Sequence, residues 1–232
     1  MSRCTVIGLS LSFTVLTTFS VLAAEPASVA VSSPDAVVER TTDALLNLIE
    51  ESQAYVKEDP ERFFVAVEAL LRPVVDFKGF ARSVMAAHYK DASSDQRERF
   101  AEAFKWGLVR SYALALTGFR DGEIVIVPSQ RPPRSPRRKN VKMEIRINTG
   151  EVYPIVYSMA QGKDEAWRMR NIIINGVNIG LTYRSQFSSA VQDAKYGGSL
   201  DAVIDAWANL LAVDEEDDAE QADAASAPAE ES

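Results

Sequence analysis

The chain has one cysteine, Cys4, and one histidine, His88. Cys4 sits at the very start of an apolar leader, too early to be a lipidation cysteine, which follows such a run. Everything beyond it therefore lacks a thiol for a disulfide, a metal or a nucleophile. A lone histidine also leaves little for a Ser-His-Asp or Cys-His enzyme, which needs a base held by an orienting partner. No Asp/Glu cluster has the spacing of a cation-binding loop, so no metal is expected. A Gly-rich phosphate loop is missing too: Gly197-Gly198 has no strand before it and reads as a helix stop. After residue 22 no run is apolar enough to span a bilayer.

Excess basic charge is absent as well. The formal net charge is −8. Nine of the acids fall between Asp214 and Ser232, where there is no basic residue, and residues 24–213 balance 24 acids with 24 bases. The body of the chain is formally neutral, which excludes the basic footprint of a nucleic-acid binder. The tail is Asp, Glu, Ala and Ser without a core-forming pattern, so residues 214–232 read as disordered and solubilising.

What is present starts with the leader. Arg3 gives a positive start, Val6 to Leu22 is uncharged and apolar, and Val21-Leu22-Ala23 offers a cleavage site. Residues 1–23 read as a secretory signal peptide and 24–34 as a small-residue linker. Residues 35–213 suit one domain.

Helix start signals recur. Ser33-Pro34-Asp35 supplies an N-cap, an N1 proline and a first-turn acid, with Val38, Thr42, Leu45 and Ile49 on one face. Asp59-Pro60 repeats the signal ahead of Phe63, Phe64, Val67, Leu70 and Leu71, and Pro73 stops that helix. Asp76 caps a third, carrying Phe77, Phe80, Ala81 and Val84. Ser93 and Gln96 form a capping box at the head of a long helix. Its inner stripe is Phe100, Phe104, Leu108, Tyr112, Ala115 and Phe119.

The period then becomes two. Ile124 to Val127 is a short strand, and Val141, Met143, Ile145 and Ile147 alternate with Lys142, Glu144 and Arg146 in a second. Asn148-Thr149-Gly150 turns the chain into Val152 to Met159, where Pro154 points to an edge or a bulge. Ala166 to Ile174 is a fourth strand, ended by Asn175-Gly176. Helices follow over 183–196 and from a Ser199 cap through Leu200, Val203, Ile204, Trp207 and Leu211. Helices, then an antiparallel meander of about four strands, then helices, make an α+β domain.

Three features could carry chemistry. Asp76, between two valines and Phe77, is placed either as a buried general base or as an N-cap. His88 lies at a helix end beside Lys90, as a surface histidine does. Arg131, Arg134, Arg137, Arg138 and Lys139, stiffened by Pro132, Pro133 and Pro136, form a basic loop that would suit an anionic headgroup or simply solvent.

Several ordered blocks resemble a known family. They are Leu71-Arg72-Pro73-Val74-Val75-Asp76-Phe77, Ala81-Arg82-Ser83-Val84-Met85, and Ala92 through Phe100. Further on come Tyr153-Pro154-Ile155-Val156-Tyr157-Ser158-Met159, Trp167 through Ile172, and Gly176 through Phe187. Together they resemble the MlaC family, the toluene-tolerance periplasmic lipid carriers, from about residue 35 to Trp207. That resemblance implies a non-enzymatic, cone-shaped NTF2-like domain holding acyl chains in an apolar cavity. It also implies a monomeric periplasmic shuttle, with phospholipid as cargo and no cofactor. Its partners would be an outer-membrane lipoprotein complex and an inner-membrane ABC transporter complex. At Ala87-His88 the chain departs from the family's glycine and basic residue, and the basic loop and acidic tail are not part of the family pattern.

On that reading the expected lining is Phe80, Val84, Phe104, Leu108 and Tyr112 from helices. Strands add Ile145, Ile147, Tyr153, Ile155, Tyr157, Ile172 and Ile174, with Val177 and Ile179 beyond them. Opposite strand faces cannot all point inward, so some strand residues should face out. Periodicity alone does not separate such a cavity from a filled core. Two rivals stay open: an enzyme of similar shape with Asp76 or His88 as base, and an interaction module with a filled core. Two acyl chains carry on the order of 30 methylenes at about 0.8 kcal/mol each, and covering most of them needs a cavity of ~1,000 Å³.

Overall fold

The computed structural model describes residues 33–117, 122–128, 135–148 and 150–209. The leader, the linker before Ser33, Phe119, Leu211, the acidic tail and Arg131, Pro132, Pro133 and Arg134 of the basic loop lie outside these residues.

Each helix starts where a side chain satisfies its free amides. In α1 (Pro34–Ser52) Ser33 Oγ accepts from the Ala36 amide, and in α2 (Pro60–Leu71) Asp59 accepts from Arg62. Asp76 caps α3 (Phe77–Met85) through the Gly79 amide at 2.8 Å. At α4 (Ser94–Thr117) the capping box is reciprocal: the Gln96 amide donates to Ser93 Oγ at 3.1 Å, and the Ser93 amide to Gln96 Oε1 at 2.9 Å.

The sheet is a five-stranded antiparallel meander in the order β1 (Glu123–Val127), β2 (Arg138–Arg146), β3 (Val152–Gln161), β4 (Trp167–Ile174) and β5 (Val177–Asn178). The fifth strand is the addition to the sequence reading. Asn175 and Gly176 adopt φ of 48° and 83°, a left-handed pair that folds two further residues back onto β4. Pro154 lies in an inner strand, against the expectation of an edge or a bulge. It is tolerated because its own N and O face the Asn175 turn, whose amide donates to the Pro154 carbonyl at 2.9 Å. No ladder bond to β2 is lost there.

The next helix, α5 (Ile179–Gln192), begins four residues earlier than the apolar period predicts. Asn178 caps it by accepting from the Leu181 amide, so Ile179 opens a helix. A 3-10 turn at Ala194–Tyr196 ends in Gly197 at φ 57°, and Ser199 caps α6, residues 200–209.

Three apolar clusters hold the domain together. The first joins α3, α4, α5 and α6 through an aromatic web. Phe80 meets Phe104 at 5.2 Å, Phe100 meets Phe187 at 4.7 Å, and Trp207 meets Tyr183 at 5.8 Å between ring centres. Edge-to-face pairs of this kind each contribute about 0.5–1.5 kcal/mol beyond area burial. The second packs α1 and α2 on α4 through Ile49, Phe63, Phe64, Val67 and Val109. The third lays Val38 of α1 on Val141, Met143, Ile155 and Met159 of the sheet.

A partly covered apolar sheet face

Register decides which strand residues look inward. Ile145 pairs with Tyr153, Met143 with Ile155, and Val141 with Tyr157. Ile155 pairs in turn with Ile174, and Tyr157 with Ile172. Directly opposed residues share a face, and so do alternate ones. Ile145, Tyr153, Ile155, Tyr157, Ile172 and Ile174 therefore all lie on one face, contrary to the expectation that some would turn out. Met159 pairs with Met169, because the register slips between Ser158 and Met159 and leaves an extra residue on β4. That bulge brings odd-numbered Trp167 and Met169 to the same face as even-numbered Ile172 and Ile174.

Covering of this face is uneven. Ile155 is buried, Ile145, Ile172 and Ile174 are half-buried, and Tyr153 at the hairpin end is 39% exposed. Tyr157 is the informative residue. Burial pushes its phenol well above the usual tyrosine range, yet part of its surface remains uncovered. The space in front of it is a pocket of about 80 Å³ between α1, the α2–α3 connection and strands β3 and β4. Its walls are Val37, Val38, Thr41, Thr42 and Leu45 of α1, Leu71 at the end of α2, Val74 and Val75 of the connection, and Tyr157, Met159 and Met169 of the sheet.

Of the fourteen residues expected at a cavity, only Tyr157 borders this pocket. Phe80, Val84 and Phe104 are at most 1% exposed and enclosed in the helical cluster. Ile179, first residue of α5, joins that cluster. Leu108 packs half-buried against it, while Tyr112 is 37% exposed. Ile147 is half-buried just past the end of β2, and Val177 is exposed on β5. The α1 residues were not among those expected to line a cavity, although Val38, Thr42 and Leu45 share the face that the spacing marks as inward.

Two ties set the walls. Lys139 forms an ion pair with Asp35, fastening the start of α1 to β2. The α2–α3 connection joins β4: the Met169 amide donates to the Val74 carbonyl at 2.8 Å, and the Asp76 amide to the Met169 carbonyl at 2.9 Å. Asp76 is fully engaged, with its second oxygen held by Arg170 Nε at 2.7 Å. It is a cap and an anchor. His88 is half-buried with its ring 6.0 Å from Phe187, and among the described residues no carboxylate orients it. Among the described residues no group of three or more His, Cys, Asp or Glu side chains is placed to hold a metal, and no helix is long and apolar enough to cross a membrane.

Fold and site together define an α+β domain built around one apolar, incompletely roofed sheet face. The family model described as MlaC protein matches residues 39–209. The chain belongs to the MlaC family. Toluene tolerance protein ttg2D of Pseudomonas putida is 37% identical over 186 residues, covering 80% of this chain and 84% of that protein. The intermembrane phospholipid transport system binding protein MlaC of Haemophilus influenzae is 27% identical over 155 residues, covering 66% and 72%. Among solved structures, a phospholipid-binding protein of Ralstonia solanacearum, in complex with a phospholipid, superposes with a TM-score of 0.68 at 23% identity. That likeness covers 78% of this chain and 99% of that one and bears on the fold alone.

Proposed function

We propose that this protein is a periplasmic phospholipid carrier. It moves lipid between an outer-membrane lipoprotein complex and an inner-membrane ABC transporter complex, and so maintains outer-membrane lipid asymmetry. It works as a monomer without a cofactor, and residues 1–23 are removed on export. The observation that carries this reading is the partly uncovered apolar face around Tyr157, with the pocket in front of it. Family membership supports it, as do the phospholipid transport role in the Haemophilus protein's name and the phospholipid held by the Ralstonia protein.

In this reading acyl chains lie along Tyr157, Ile155, Ile145 and Tyr153, with Ile172 and Ile174 beside them. The pocket under α1 has room for two to three waters at ~30 Å³ each. It is therefore one end of the lipid site. Carriage needs no reacting group, which accords with Asp76 serving as a helix cap and ion-pair partner. Release is driven by the receiving partner, since a ligand shifts only when another state binds it better.

Native mass spectrometry of full-length protein expressed with its leader and purified gently from the periplasm tests the proposal. The expected species is the chain cleaved after Ala23 with phospholipid bound, and organic extraction releases that lipid. Protein at bare chain mass under these conditions would refute it.

A further inference from the structure

The pocket under α1 contains two hydroxyls that converge on one sulfur. Thr42 Oγ1 donates to Met143 Sδ at 3.7 Å, and the Tyr157 hydroxyl donates to the same atom at 3.9 Å. A thioether is a weak acceptor, and here it serves two donors at the long end of their range. The neighbouring Thr41 hydroxyl is differently placed, donating to the Val37 carbonyl of its own helix at 2.7 Å. Thr42 and Tyr157 thus bring hydrogen-bonding capacity into an apolar pocket that leaves it poorly used. Part-buried donors in that condition gain from any better acceptor that reaches them.

We propose that Thr42 and Tyr157 form a polar recognition point for a neutral carbonyl oxygen, the ester carbonyl of an acyl chain of the bound lipid. This rests on the carrier reading and specifies which lipid chemistry the site prefers. The pocket's volume of about 80 Å³ suits an ester group and its first methylenes. The rest of the chain then follows the apolar face past Ile155 towards Tyr153. A carboxylate is the other acyl oxygen that could reach the hydroxyls. None of the residues lining the pocket is cationic, so a buried carboxylate would lack the counter-charge it needs.

The test uses the full chain after delipidation. It is offered a diester phosphatidylglycerol, the matched diether phosphatidylglycerol, or oleate, with occupancy read by native mass spectrometry in pairwise competition. Wild-type protein is expected to favour diester over diether by about fivefold, the effect of one neutral hydrogen bond. Tyr157→Phe should bring the ratio close to one by losing more diester affinity than diether affinity. Thr42→Val should reduce the same ratio, which covers the case of a Tyr157→Phe protein that does not fold. Equal wild-type occupancy by ester and ether overturns the proposal, as does an ester preference that survives Tyr157→Phe. Oleate displacing the diester also overturns it, by assigning the point to a carboxylate. Wild-type protein that takes up neither phospholipid overturns the carrier reading, and this inference with it.

Discussion

Asp76 and Arg170 lock the head of α3 to the bulge of β4. Arg170 Nε donates to Asp76 Oδ2 at 2.7 Å, while Asp76 Oδ1 accepts the Gly79 amide at 2.8 Å. One carboxylate therefore caps a helix and holds the strand residue that the bulge turns outward. The two roles separate by mutation. Asp76→Ala loses cap and ion pair, and is expected to cost about 1–2 kcal/mol in urea unfolding. Asp76→Asn keeps a capping oxygen and loses only a half-exposed pair, so it should cost less than about 1 kcal/mol. Bound lipid should survive in Asp76→Asn, whereas a catalytic role for the carboxylate would leave that variant folded and inactive.

Gly180 is required by a close approach. A Cβ at this position would lie 2.5 Å from Asn171 Oδ1 and 3.2 Å from the Phe80 ring. That Asn171 oxygen accepts the Gly180 amide at 2.9 Å, docking the first turn of α5 on β4. Alanine normally stabilises a helix interior by about 1 kcal/mol over glycine. Here Gly180→Ala should instead destabilise by about 1–3 kcal/mol, because the added methyl forces packed neighbours apart. Chemical denaturation gives the sign directly.

Glu68 should make the domain acid-sensitive. It is buried in α2, with Arg72 Nη2 at 2.5 Å and Lys105 Nζ at 3.2 Å. The hydrogen bond from Arg72 lowers its pKa below the ordinary 4.5, against the opposing effect of burial. A depressed folded-state pKa contributes stability that is complete above the unfolded value and is lost as pH falls through the folded one. Stability should therefore decline below pH 4.5 in part through Glu68. Glu68→Gln should flatten that part of the profile and cost about 1–3 kcal/mol at neutral pH, since Lys105 then loses a buried partner. Melting temperature against pH for the two proteins checks both.

Tyr153 tests the reach of the apolar face. It stands at the hairpin end, 39% exposed, with its hydroxyl on Glu151 at 3.2 Å. Removing the ring should change stability by less than about 1 kcal/mol, as at other exposed sites. If acyl chains extend this far, Tyr153→Ala should retain several-fold less lipid than wild type through gentle purification. Retention equal to wild type would place the chains elsewhere.

Helix starts were legible in the sequence because capping is local: Ser33, Asp59, Asp76, Ser93 and Ser199 each act within three residues. Strand β2 was legible from its alternation, and β3 from the Asn148-Thr149-Gly150 turn signal before it. The start of α5 was not, because a two-residue strand separates it from the Asn175-Gly176 turn and only the Asn178 cap marks the change. Nor was α1 as a cavity wall: spacing puts Val38, Thr42 and Leu45 on one face but does not say which surface that face meets.

By itself, the sequence determined where most helices begin, that thiol chemistry is absent beyond Cys4, and that apolar side chains outnumber what one face of each element can show to water. Those properties depend on residue identity and near neighbours. Tertiary structure alone decided that Phe80 and Phe104 close on each other while Tyr157, half-buried on the sheet, keeps an open side. The same is true of the β4 bulge, which places Met169 and Ile172 on one face. Both outcomes turn on strand register and on how closely helices approach the sheet. Contacts between residues far apart in the chain set those distances, and local periodicity carries no record of them.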